Sequence, residues 1–141
     1  MADLSRIFFL AGAVPYLVLG TAHAWHTPIR ADQKKGLSAR DPAVEGAMAT
    51  TSPRLTARTD LWRAWVGFNY SQSLGAVLFG LFVVLIGRSE TSYHTEAALA
   101  LPLSVLVSVA YLVLGIKYWF KTPIIGIAFA TVCFALATLL Y

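Results

Sequence analysis

Four apolar runs, each about the length of a bilayer crossing, leave this chain few ways to fold. They extend from Ile7 to Trp25, Trp62 to Ile86, Ala97 to Trp119 and Pro123 to Tyr141. No water reaches the bilayer interior to satisfy exposed backbone groups. A segment of this length therefore crosses as an α-helix, which closes its hydrogen bonds within itself. The predicted fold class is all-α: an integral membrane antiparallel four-helix bundle, forming one transmembrane domain over residues 1–141. Charge supports this reading. Charged residues make up 13% of the chain, against about 25% in a soluble domain. They are also segregated, with seven of the eleven Lys and Arg lying between Arg30 and Arg63.

Signals at the ends of the runs refine the outline. Arg6, an apolar core and Ala22-His23-Ala24 resemble a signal peptide with its cleavage pattern. Pro15, in mid-run, suits a transmembrane helix, and the reading is a retained span kinked there. Residues 26–61 form a long polar loop punctuated by Pro28, Pro42 and Pro53, with a short surface helix over Ala43 to Thr50. Asp60 is placed to cap the second span. Gly87 to Thr95 reads as a polar turn, and Pro102 falls near the start of the third span. Thr122 followed by Pro123 reads as the cap and first residue of the fourth.

Basic residues set the expected orientation. The first and third loops carry nine Lys and Arg, and the opposite side carries only Arg6 and Arg88. The positive-inside bias then puts residues 26–61 and 117–122 in the cytoplasm and both termini outside. The same bias accounts for the net charge of +4, so no nucleic acid partner is expected. Cys133 is the only cysteine, which excludes an internal disulfide and any cysteine-based metal motif.

Membrane helices associate through small residues that allow close approach and through polar side chains that bond across the interface. Each span has such residues at spacings of three and four, which share one helical face. The stripes are Gly12, Tyr16, Gly20 and His23; Trp62, Trp65, Asn69, Gln72, Ser73, Ala76 and Gly80; Ser104, Ser108, Tyr111, Gly115 and Tyr118; and Gly126, Ala130, Cys133 and Ala137. Antiparallel topology puts His23, Trp65, Asn69, Tyr111 and Tyr118 at similar depth, with Gln72 and Ser73 a turn deeper. The candidate ligand-binding residues are accordingly His23, Trp65, Asn69, Gln72, Ser73 and Tyr111. Asn69 and Gln72 have two readings, either orienting a ligand carbonyl or hydroxyl or bonding between helices. For His23 the readings are acid–base group, metal or haem ligand, or hydrogen-bond donor to Asn69 or a tyrosine. A bis-histidine haem is disfavoured, because His26 lies on the loop and His94 on the opposite side. Gly67, Ser71 and Gly75 form a second small stripe suited to a partner helix. Lys117, off the stripe of the third span, is expected to snorkel to the headgroups.

Several chemistries lack their residues. No Asp or Glu lies inside any of the four runs, although membrane proton relays and carboxylate catalysis usually need one. There is no phosphate-binding loop, no HExxH and no metal-spaced Cys/His cluster. No nucleophile with a neighbouring base is visible.

The segment from Trp62 through Gly75, WRAWVGFNYSQSLG, together with Gly20-Thr21-Ala22-His23, is similar to a family of small bacterial four-span proteins of unknown function. The resemblance implies a four-helix protein of the bacterial inner membrane and no activity. More distantly, the chain is similar to four-span sterol-isomerase-like domains, which manage a carbocation with intramembrane carboxylates beside aromatic residues. Here the aromatics and His23 are present but the carboxylate is missing, which leaves only the analogy of a ligand pocket.

The expectation is a non-enzymatic membrane protein, in contact with membrane lipids, that binds a lipid- or quinone-like ligand by its polar head. The same role class includes an accessory subunit of a larger membrane complex or a homo-oligomer. No particular cofactor is implied, and no metal. The alternative is a small membrane enzyme acting on a lipid-like substrate, with His23 as acid–base group and Asn69 and Gln72 as polarising donors.

Overall fold

A computed structural model describes residues 2–141. Its helices are α1 (Ala2–His26), α2 (Pro42–Thr50), α3 (Leu61–Gly87), α4 (Glu90–Tyr118) and α5 (Lys121–Leu140). The described residues contain no strand. Four of the helices, α1, α3, α4 and α5, are long and apolar enough to cross a membrane. The chain is thus all-α, an antiparallel bundle of four long apolar helices with one short helix between the first two.

Several helix starts follow the expected chemistry. The Asp60 carboxylate accepts from Arg63 N at 2.7 Å and opens α3. The Asp41 carboxylate accepts from Ala43 N at 2.9 Å and opens α2, with Pro42 as its first residue. α1 is helical on both sides of Pro15.

Two boundaries differ from the sequence reading. The supposed turn over Gly87 to Thr95 is mostly helix, because Ser89 accepts from Ser92 N and starts α4 at once. Its polar first turns had resembled a loop, and Pro102 consequently sits well inside the helix. α5 likewise begins at Lys121, with Phe120 at the cap position and no side-chain cap. Thr122 and Pro123 are therefore already in its first turn, where a proline without N–H is tolerated.

The chain divides into two compact units. The first contains residues up to Leu19 together with Ala76–Tyr141, and the second contains Gly20–Gly75. In the first, the early part of α1 and the late part of α3 pack with α4 and α5. Phe9, Tyr16, Val83, Tyr93 and Phe134 are fully buried, with Ala13, Ala97, Ala130 and Ala137 filling the close approaches. Gly12 is necessary here, since a Cβ would stand 2.6 Å from the Phe134 ring. Phe134 in turn touches the rings of Phe9, Tyr16 and Phe79. Of the third stripe, Ser104, Ser108 and Gly115 are buried as expected. Tyr118 is not: it is 65% exposed at the last residue of α4, past the packed face.

Several polar groups in this unit bond across helices, while the Tyr16 hydroxyl and Arg6 Nε are buried without a hydrogen-bond partner. Ser5 Oγ donates to the Ala137 carbonyl and lies 2.6 Å from the Tyr93 hydroxyl, tying α1, α4 and α5 together. Because Ser5 has one proton to give, Tyr93 is the donor between them. Ser108 and Thr131 bond at 2.8 Å between α4 and α5. Arg6 donates to the Gly87 carbonyl at the C-terminal end of α3, where a cation is favoured.

Candidate functional site

The second unit is built from the end of α1, the long loop with α2, and the first half of α3. Short hydrogen bonds hold the loop to the helix ends. Thr27 donates to the His23 carbonyl through both N and Oγ1, at 3.0 and 2.8 Å. Leu37 N donates to the His26 carbonyl at 3.1 Å, and Lys35 Nζ to the Thr27 carbonyl at 3.4 Å. Trp62 is buried, stacks on Trp65 at 5.2 Å and donates its indole N–H to the Ile29 carbonyl at 3.4 Å. Leu61 N donates to the Thr51 carbonyl at 2.8 Å, closing the loop onto the start of α3. On the loop, the Arg30 guanidinium hydrogen-bonded to Asp32 holds that carboxyl below the usual carboxylate range. Both side chains are exposed, so the pair is screened and contributes little to stability.

His23 and Asn69 meet at the centre of this unit, with Nε2 and Oδ1 2.9 Å apart. Of the readings open for His23, bonding to Asn69 is the one observed. The roles follow from the rest of the network. Asn69 Nδ2 donates to the Trp65 carbonyl, one turn back, at 2.8 Å. That orientation makes Oδ1 the acceptor, so His23 Nε2 carries the proton. Ser73 is buried and donates to the Asn69 carbonyl at 3.0 Å.

Gln72 and Trp65 share this face of α3 but not this network. Both are half-buried, and neither the Gln72 amide nor the Trp65 indole N–H bonds to a described residue. An amide left unmatched in a membrane helix costs roughly 1–3 kcal/mol on protein scales and more against hydrocarbon. Gln72 offers two donors and an acceptor, and Trp65 offers one donor. These two side chains can hydrogen-bond a carbonyl, ester or hydroxyl.

Five of the six candidate ligand residues, His23, Trp65, Asn69, Gln72 and Ser73, thus belong to the second unit. Tyr111 belongs to the first, where it packs edge-on against Tyr16 at 5.5 Å. In the stripe suited to a partner helix, Gly67, Ser71 and Gly75 are all exposed, and a Cβ on Gly67 would meet nothing within 4 Å. Ser71 bonds back to the Phe68 carbonyl. Thr27, fully buried, escaped the sequence reading. Its signal was present, because a threonine four residues after a helical residue can bond back to that residue's carbonyl. Among the described residues no group of three or more His, Cys, Asp and Glu could hold a metal ion. Comparison with known families, curated proteins and solved structures finds no match to this chain.

Proposed function

We propose that this chain is a membrane protein that holds the polar head of an apolar ligand, lipid or quinone in type, through His23, Trp65, Asn69 and Gln72. The Gln72 amide carries this reading. It lies on a membrane-spanning helix, half-buried and without a protein partner, one turn from the hydrogen-bonded pair of Asn69 and His23. A carbonyl or ester oxygen would complete its bonding, while the exposed apolar sides of the helices accept the ligand's tail. In the membrane, residues 26–61 and 117–122 face the cytoplasm and both termini face outward, a reading supported by the positive-inside bias of the basic residues. The bacterial inner membrane is the setting the family resemblance implies.

Membership of a larger complex, or homo-oligomerisation, is the second reading, favoured by the exposed stripe of Gly67, Ser71 and Gly75. Helices pack closely where such small residues meet.

Native mass spectrometry in mild detergent tests both. A bound lipid- or quinone-sized mass is expected for the first, and a second copy or a further subunit for the second. A bare monomer at every detergent concentration contradicts both.

A further inference from the structure

The loop closed by the Leu61–Thr51 hydrogen bond has a tip of unusual composition. Thr56 N donates to the Pro53 carbonyl at 3.2 Å, a turn that puts Arg54 and Leu55 at its two central positions. Leu55 is 95% exposed, the highest value among the exposed large hydrophobic residues. Arg54 and Arg58, either side of it, are exposed as well. Neither arginine has a carboxylate partner among the described residues. The nearest acid along the chain, Asp60, is engaged in capping α3.

The position of the tip matters as much as its composition. Thr51 is held against Leu61, the first residue of a membrane-spanning helix. Leu55 is four positions beyond Thr51, and at about 3.6 Å per position, with the hydrogen bond to Leu61 added, the tip lies within roughly 18 Å of where α3 enters the membrane. The headgroup layer, by the usual bilayer dimensions, is about 5–8 Å deep on each side. Leu55 is exposed between two arginines that have no acidic partner among the described residues. Against an anionic leaflet its side chain enters the acyl boundary while both guanidinium groups meet phosphate.

We infer that the Arg54–Leu55–Arg58 tip is an anionic-lipid contact, with Leu55 embedded and Arg54 and Arg58 on phospholipid phosphates. It is separate from the polar-head site of α1 and α3 and does not depend on it. The occupant is the leaflet surface of the protein's own membrane. The tip thereby fixes the long loop flat on that surface.

The test uses the full chain with Leu55→Cys carrying an environment-sensitive dye. The natural Cys133 is buried, so labelling of the folded protein goes to position 55, and Cys133→Ser checks this. The protein is placed in neutral detergent, in phosphatidylcholine vesicles, and in vesicles of equal parts phosphatidylcholine and phosphatidylglycerol. A blue shift confined to the anionic vesicles is expected, with the embedded fraction falling about fivefold for each of Arg54→Gln and Arg58→Gln. Emission that is the same in all three media overturns the inference, as does a shift that survives both substitutions. A blue shift already present in detergent would place the tip against protein and also overturn it.

Discussion

The two units differ in what their polar side chains join, although the first also buries the Tyr16 hydroxyl and Arg6 Nε without a hydrogen-bond partner. In the first, Ser5 bonds both Tyr93 and the Ala137 carbonyl, and Ser108 bonds Thr131. Those contacts cross between helices, so polar atoms hold the bundle together. In the second unit Asn69 bonds His23, but Gln72 and Trp65 on the same face of α3 have polar atoms without protein partners. A polar group that joins helices is explained by the fold. One that joins nothing and is open to the outside, as the Gln72 amide is on a membrane-spanning segment, can take a partner from outside the chain, which the enclosed Tyr16 hydroxyl cannot.

Breaking the first unit is expected to give the largest effects. Gly12→Val drives a side chain into the Phe134 ring, which Phe9, Tyr16 and Phe79 prevent from moving aside. Overpacking of this kind costs about 1–3 kcal/mol, and the thermal midpoint in detergent should fall accordingly. Ser5→Ala strands the Tyr93 hydroxyl and is expected to cost about 1–2 kcal/mol. Tyr93→Phe made in the Ser5→Ala background should add less than it does alone, because the shared bond is already gone.

In the second unit, loss of ligand should outweigh loss of stability. Asn69→Leu removes the acceptor for His23, and the ligand mass is expected to disappear from the native spectrum. Bonds of this kind within membranes are worth about 0.6 kcal/mol on average, so the midpoint should move little. A fall of several degrees with the ligand retained would make Asn69 a structural residue. Gly67→Ala is the mildest change, since its Cβ would meet nothing. It should leave monomer stability within about 0.5 kcal/mol, and any drop in oligomer content would assign the stripe to an interface.

The four spans were legible because length and apolarity alone decide them, and Asp60 announced the start of α3. The start of α4 was hidden because its first residues, Glu90 through Glu96, have the composition of a loop. Tyr93 is nevertheless buried there, against a serine 88 positions earlier in the chain. No local window contains that partner. Candidate site residues could be found from helical spacing, since Trp65, Asn69 and Gln72 recur on one face. Which of them would be satisfied could not. Asn69 bonds its own helix and His23, whereas Gln72, only three residues on, bonds neither, and that difference depends on which residues face each one in space. Tyr111 had the right spacing too, but its nearest ring partner is Tyr16 of the first unit.

Gln72→Leu tests the central claim most directly, because it removes the unmatched amide and nothing that the protein itself uses. Thermal unfolding and native mass spectrometry of this variant and the unaltered protein should be compared in the same mild detergent. The expected result is an equal or higher midpoint together with loss of the bound apolar molecule. A lower midpoint with the bound mass unchanged would show that Gln72 serves the fold and would contradict the proposed site.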